Sequence, residues 1–191
     1  MEPWMWWLIG GGGVVVLVVL FVVFTYNGLV ARKLETGNAW SQISVQLQRR
    51  HDLIPNLVET VKGYAHHEQD TLQKVIQARN QAVSATSVPD KVQAENQLTA
   101  AMRGLLAVAE AYPDLKANQN FLALQEELTA TENRIGFARQ HYNDAVGQFN
   151  QALMQFPGNI VAGMFGFKPA EFFNLDPAEA AAVKQVPKVQ F

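Results

Sequence analysis

The chain begins with an uncharged apolar run, from Trp4 to Phe24, and continues in a pattern that is amphipathic almost throughout. About 20 apolar residues are needed for a helix to cross ~30 Å of hydrocarbon, and this run contains no Asp, Glu, Lys or Arg. Aromatic side chains of the kind enriched at membrane interfaces lie at its two ends: Trp4, Trp6, Trp7 and Tyr26. The pattern predicts a transmembrane anchor over residues 1–26, with the membrane as a partner.

A cleaved signal peptide is the competing interpretation of the same run. Signal peptides begin with basic residues and end at a small-residue cleavage site, whereas this chain starts Met1-Glu2-Pro3 and has no Ala-x-Ala pattern after the run. Because Arg32 and Lys33 follow the run and no basic residue precedes it, the positive-inside rule places the N-terminus outside and the body in the cytoplasm. We therefore expect a single-pass protein of the cytoplasmic (inner) membrane.

Apolar residues in the remainder of the chain recur at alternating steps of three and four, which is the period of one helix face. The recurrence falls into four segments, which predict helices near 27–65, 67–85, 89–112 and 118–156. Short connections between them favour antiparallel neighbours. The sequence thus predicts an all-α fold, in which the transmembrane helix precedes an up-down four-helix bundle over 27–157 with coiled-coil packing and long first and last helices.

Turn signals separate these helices and leave an aromatic tail. Ser87-Val-Pro-Asp predicts an N-cap for the third helix, and Pro157-Gly158 ends the fourth. Since the fourth helix would return toward the membrane, we expect the tail, 158–191, to lie near the bilayer with Phe165 and Phe167 at the interface. In the alternative, these rings cap the core. A short helix is also predicted near the end of the tail.

The predicted lengths leave a seam that the two middle helices do not cover. At a rise of 1.5 Å per residue, the first and last helices of the bundle reach about 58 Å, and the shorter pair spans only part of that length. The apolar residues left over are Trp40, Ile43, Phe149, Leu153 and Phe156. Either the tail folds back over this seam, or neighbouring copies cover it and the protein is a homo-oligomer on the membrane.

Charged residues interrupt the apolar faces at one height in the predicted bundle. Arg50, Arg79 and Glu95 occupy core positions, and the fourth helix brings Glu132 to the same level. Arginine pairs with carboxylates in a forked geometry, so these residues predict a structural ion-pair layer that fixes helix register. A ligand or catalytic site is the alternative. Pro55 lacks an N–H, so it leaves one carbonyl of the first helix without its intrahelical partner.

Composition and motifs argue against catalysis and against cofactors. The chain has 15 basic and 17 acidic residues, a net charge of −2, which predicts no broad surface for nucleic acid. It has no cysteine, which excludes disulfides, thiolate metal sites and cysteine nucleophiles. No Glu-x-x-His pair, phosphate-binding glycine loop or Gly-x-Ser-x-Gly motif occurs. His66, His67, Glu68 and Asp70 cluster at a predicted turn, where we expect solvated side chains and no metal.

Several long motifs resemble those of the LemA family. They are Arg49-Arg-His-Asp-Leu-Ile-Pro-Asn-Leu57, Ala109-Glu-Ala-Tyr-Pro-Asp-Leu-Lys-Ala117, Leu124-Gln-Glu-Glu-Leu-Thr-Ala-Thr-Glu-Asn-Arg-Ile135 and Tyr142-Asn-Asp-Ala-Val146. The resemblance extends over nearly the whole chain. It implies a bacterial inner-membrane protein with one N-terminal anchor, a helical bundle whose first helix is long, and no established enzyme activity. Members are often encoded beside membrane proteases, which makes a protease a candidate partner.

Two functions of different classes are consistent with these patterns. The first is a non-enzymatic, membrane-anchored helical scaffold or adaptor that self-assembles and engages a membrane protein. The second is a ligand sensor or hydrolase that uses the polar layer of the bundle. The second function requires a pocket at Arg50, Arg79 and Glu95 in which at least one polar group is open to solvent.

Overall fold

The computed structural model describes residues 3–65 and 67–173, with side chains from residue 11 onward. Within these residues every regular element is a helix and none is a strand, so the all-α prediction is confirmed for this part of the chain. The short helix predicted near the end of the tail lies outside the described residues. So do the side chains of Trp4, Trp6 and Trp7, which the sequence assigns to a membrane interface.

Six helices lie within the described residues. They are α1 (Pro3–Lys62), α2 (Gln69–Ser84), α3 (Val88–Ala111), α4 (Pro113–Lys116), α5 (Gln119–Met154) and α6 (Gly158–Phe165). The anchor and the first helix of the predicted bundle, which the sequence divides near residue 26, form the single helix α1. The helix continues through residue 26 because no proline lies there. The single nearby glycine, Gly28, lowers helix propensity too little to end the helix. The four-residue helix α4 was not predicted.

The connection between α2 and α3 is fixed from both sides. As predicted, Ser87 caps α3: its hydroxyl accepts a hydrogen bond from the backbone N–H of Asp90 at 3.2 Å, and Pro89 lies in the first turn. The ammonium group of Lys91 donates to the backbone carbonyls of Ala82 at 2.9 Å and Ala85 at 3.2 Å. These bonds satisfy carbonyls at the end of α2 that have no partner within the helix.

The described residues form two compact units. The first unit comprises the residues up to Trp40 together with His141–Phe172, and the second comprises Ser41–Gln140 with Phe173. Helices α1 and α5 contribute residues to both units.

The second unit has one apolar core to which α1, α2, α3, α4 and α5 all contribute. Most of its members occupy the positions that the step of three and four selects, because that spacing places them on one face of each helix. The most deeply buried of these residues are Ile54, Leu57, Val61, Ala65, Val75, Ala82, Leu98, Leu105, Leu115 and Phe121.

The core of the first unit is built by α6 folding against α1 and α5. Leu29 of α1 and Phe149 and Leu153 of α5 form a buried cluster with Val161 and Ala162 of α6. The two buried apolar residues of α6, Val161 and Ala162, are adjacent in sequence, so this short helix presents one small apolar face to the other two helices.

Two glycines define where α6 begins and ends. Gly158 starts the helix so close to the end of α5 that a Cβ atom there would overlap the carbonyl oxygen of Ala152. Gly166 ends it with φ 71°, in the left-handed region that favours glycine at a helix C-terminus. The turn after α5 and the exit from α6 therefore both depend on the absence of a side chain.

Candidate functional site

Arg50 is the centre of a polar cluster in the second unit. Its side chain is only 3% exposed, and its guanidinium bridges two carboxylates from different helices. The Nη2 atom donates to the carboxylate of Glu95 on α3. The Nη1 atom donates to Oε1 of Glu132 on α5 at 2.7 Å and to the hydroxyl of Thr99 at 3.3 Å. One residue thus ties three helices together through charge-assisted hydrogen bonds.

His51 shares the buried carboxylate with Arg50. Its Nε2 atom lies 2.8 Å from Oε1 of Glu95, while Arg50 binds the other oxygen, Oε2. Both His51 and Glu95 are buried. Each oxygen of this carboxylate therefore has a partner from α1, which is the condition under which a charged group is tolerated in a core.

Arg79 lies outside this network of carboxylates. It is half-buried, and its Nε atom donates to the backbone carbonyl of His51 at 3.2 Å. That carbonyl is the one that Pro55, four residues later, leaves without an intrahelical donor. The expectation that Arg79 pairs with a carboxylate of the layer is therefore corrected: it replaces a missing helix bond instead.

The solvent side of the cluster is formed by exposed charges. The side chain of Glu132 is 42% exposed, and the neighbouring pair of Arg49 with Glu127 has side chains 47% and 42% exposed. Among the described residues, no three His, Asp or Glu side chains come together in an arrangement that could hold a metal ion. His66, one of the four clustered residues at the turn, lies outside these residues.

The tail covers two of the seam residues of the first unit, Phe149 and Leu153. Phe149 is 1% and Leu153 8% exposed beneath α6, whereas Phe156 is 76% exposed. The structure thus follows the alternative in which residues after α5 fold back over the seam. In the second unit, Ile43 is also fully buried. The expectation that neighbouring copies bury Ile43, Phe149 and Leu153 is corrected, because the same chain already does so, whereas Phe156 is left open.

Side chains of α5 fasten the tail through its backbone. The Nδ2 atom of Asn150 donates to the backbone carbonyl of Ala170 at 2.9 Å, and its Oδ1 atom accepts from the backbone N–H of Ala170 at 2.8 Å. The hydroxyl of Tyr142 donates to the carbonyl of Glu171 at 2.8 Å. Burial, and secondarily the Glu171 carboxylate, raise the pKa of Tyr142 above its ordinary value, so the phenol stays protonated and able to donate even where an exposed tyrosine would ionise. The ring of Trp40 packs 5.4 Å from that of Tyr142.

The residues assigned to a membrane interface have two different environments. Tyr26 contacts the rings of Phe165 and Phe167 at centroid distances of 4.7 and 5.7 Å. Phe167 also packs on Phe149 at 6.4 Å, and the ammonium group of Lys33 lies 5.8 Å from its centroid. Phe167 therefore caps the core of the first unit. Phe165 is 54% exposed, so most of its surface is open.

The apolar run of α1 has exposed side chains all around the helix. From Val14 to Phe21 each side chain is between 50% and 68% exposed. The helix is long enough and apolar enough to cross a membrane, and it is the one helix with this property among the described residues. A helix that is apolar on all sides requires either a protein core or a lipid environment around it.

The profile of the LemA family matches residues 39–191 of this chain, which includes the polar cluster and the folded-back tail. The chain belongs to the LemA family. Among its relatives is Protein LemA of Metamycoplasma hominis, which is 27% identical over 164 residues, 84% of this chain and 71% of the relative.

Other relatives of this LemA-family chain carry a different name. Magnetosome protein MamQ 2 of Paramagnetospirillum magneticum is 26% identical over 183 residues, and Magnetosome protein MamQ of Magnetospirillum gryphiswaldense is 24% identical over the same length. Each alignment covers 82% of this chain and 67% of the relative.

Sequence reasoning missed two features of this LemA-family protein. His51 was not predicted as a member of the polar layer, although it follows Arg50 directly and lies four residues before Pro55. Asn150 could not be predicted, because an asparagine on a helix gives no signal that distinguishes a backbone clamp from a solvated side chain. The tail that it binds is 20 residues away in sequence, so no local pattern connects the two.

Proposed function

We propose that this LemA-family protein is a non-enzymatic, membrane-anchored helical scaffold or adaptor that engages a membrane protein and assembles with further copies of itself. The observation that carries the proposal is the helix α1, in which an apolar stretch exposed on all sides continues without a break into residues of the folded cores. Such a stretch is stable when lipid surrounds it.

The body of this scaffold is, in our proposal, an antiparallel four-helix bundle made of α1, α2, α3 and α5. These four helices share one apolar core in the second unit, and the segment between α2 and α3 is only three residues long. Short connections favour antiparallel neighbours, and heptad spacing favours coiled-coil packing between them.

The polar cluster supports a structural role over a catalytic one. The Glu95 carboxylate has both oxygens occupied by buried partners, and Arg50 is held by groups from two other helices. A general base or nucleophile must reach a substrate, but the only strongly exposed member of the cluster is the Glu132 carboxylate, which accepts from Arg50. Because this exposed carboxylate is already paired with Arg50, the cluster favours the structural role over a sensor or hydrolase.

The orientation can be tested with single cysteines, since the natural chain has none. With Arg32 and Lys33 after the apolar run, we expect the N-terminus outside the inner membrane and the body in the cytoplasm. In intact cells, a cysteine that replaces exposed Gln77 should resist a membrane-impermeant thiol reagent and react only after the membrane is opened. Reaction of Gln77→Cys in intact cells would show that the body lies outside the cytoplasm and would contradict the proposed orientation.

The partner can be captured at exposed apolar positions of the second unit. Val45 and Phe137 are 63% and 75% exposed, so both apolar side chains are accessible to a partner. A photoreactive phenylalanine analogue at either position should crosslink in cells, and the mass of the product separates a second copy from another membrane protein such as a protease. The same analogue at Gln77 is the matched control. Equal yields at all three positions would contradict the scaffold proposal.

A further inference from the structure

A groove of about 310 Å³ lies in the first unit, where the end of the apolar run meets the turn between α5 and α6. One wall is a single face of α1 that includes Phe21, Phe24 and Gly28, and the opposite wall includes Phe156 and Pro157. Phe24 and Phe156 are 81% and 76% exposed, so the groove has large apolar surfaces that the described part of the chain leaves uncovered.

The groove is continuous with the surface that the proposed anchor presents to lipid. Phe21 belongs to the stretch whose side chains are exposed all around α1. The hydroxyl of Thr25, on the same wall, is already bonded to the carbonyl of Phe21 at 2.9 Å. Gly28 has no side chain, and a Cβ atom there would meet nothing within 4 Å, which leaves the middle of the groove open.

One end of the groove carries positive charge. Arg32 is exposed, and of the described residues that line the groove it is the one that carries a charge, so none of them is acidic. From Phe21 to Arg32 the helix advances about 16 Å at 1.5 Å per residue. Phe24 is the last residue of the apolar run, so the groove extends from the edge of the hydrocarbon toward the headgroup region, where a lipid phosphate lies. The adjacent Lys33 is directed to the ring of Phe167 instead.

We propose that this groove binds one anionic phospholipid, with an acyl chain against Phe21, Phe24 and Phe156 and the headgroup phosphate on Arg32. The apolar wall provides the surface that an acyl chain fills, and the guanidinium provides paired donors in the geometry that suits phosphate. The inference rests on the proposed membrane anchoring, because a lipid reaches the groove from the bilayer.

Two variants test the two halves of the site, each with a matched control. Gly28→Leu fills the groove, and Gly37→Leu makes the same change at an exposed position of α1 where a Cβ atom also meets nothing within 4 Å. Arg32→Gln removes the phosphate ligand, and Arg49→Gln removes one positive charge from the second unit. Neither Gly28 nor Arg32 is buried, so all four proteins should keep the helicity of the parent.

The readout is native mass spectrometry of the full chain in mild detergent with added phosphatidylglycerol or phosphatidylcholine. We expect the parent and both controls to retain one phosphatidylglycerol, and phosphatidylcholine to bind more weakly. Arg32→Gln should weaken retention at least about tenfold, the effect of losing one hydrogen bond to a charged group. Gly28→Leu should abolish it while the circular dichroism spectrum stays unchanged.

The proposal is overturned if Gly28→Leu retains lipid as the parent does, or if the two controls lose as much as the two test variants. Equal retention of both lipids, unaffected by Arg32→Gln, would also overturn it. Cell fractionation separates this result from failure of the anchor. A parent chain that is found in the membrane but retains no lipid contradicts the groove alone, whereas a parent chain in the soluble fraction contradicts the anchoring.

Discussion

Replacement of Arg50 by alanine is expected to lower the free energy of unfolding by about 3–5 kcal/mol, the range typical when one partner of a buried ion pair is removed. Glu95 would remain in the core with one oxygen unpaired, and the bonds to Glu132 and Thr99 on the other helices would be lost with it. Chemical denaturation in detergent, followed by far-UV circular dichroism, measures the change.

The adjacent residue provides the control. Arg49 also forms an ion pair, with Glu127, but both side chains are more than 40% exposed, so Arg49→Ala should cost less than about 1 kcal/mol. The double variant Arg50→Met/Glu95→Met should recover part of the Arg50→Ala loss, because no buried carboxylate then remains unpaired and Glu132, which loses its partner, is 42% exposed. Coincident denaturation midpoints for Arg50→Ala and Arg49→Ala would show that the cluster does not stabilise the fold.

Replacement of Phe149 by alanine is expected to destabilise the first unit by about 3–5 kcal/mol, the usual effect of truncating a buried phenylalanine. Phe149 is 1% exposed and contacts the cluster of Leu29, Leu153, Val161 and Ala162. Since the lost contacts are those that hold α6, the backbone amides of residues 158–173 should exchange hydrogen for deuterium faster. Hydrogen-exchange mass spectrometry locates this change along the chain.

Leu34→Ala is the matched comparison for that experiment. Leu34 is 63% exposed in the same unit, so its truncation should change stability by no more than about 0.5 kcal/mol and leave exchange in 158–173 unaltered. If Phe149→Ala leaves the exchange of the tail unaltered as well, the tail is not held by this core, and the seam is open to another copy after all.

The heptad pattern was sufficient to predict the four long helical segments and most of the second core, but not the short helices α4 and α6. Residues such as Leu57, Val75 and Leu98 could be selected from spacing alone, because a helix face repeats every three or four residues. The cap at Ser87 followed from local side-chain chemistry. These features depend on residues close together in the chain, which is why one sequence was enough to find them.

The partners of the charged residues could not be predicted in the same way. Spacing placed Arg50 and Arg79 at one height, but it did not distinguish an arginine that binds carboxylates from one that binds a carbonyl. The difference comes from Pro55, whose missing N–H leaves the His51 carbonyl as an acceptor for Arg79. The fate of the tail was equally undetermined, since Asn150 and Ala170 meet only after the chain reverses direction.

Gly158 limits how the sequence of this protein can vary. Every other amino acid carries a Cβ atom, and each would therefore meet the carbonyl oxygen of Ala152 at the start of α6. Mutational drift is thus blocked at this position regardless of the polarity or size of the new side chain. At Gly28 or Gly147, in contrast, an added Cβ atom meets nothing, so a substitution there can persist and be acted on by selection for function.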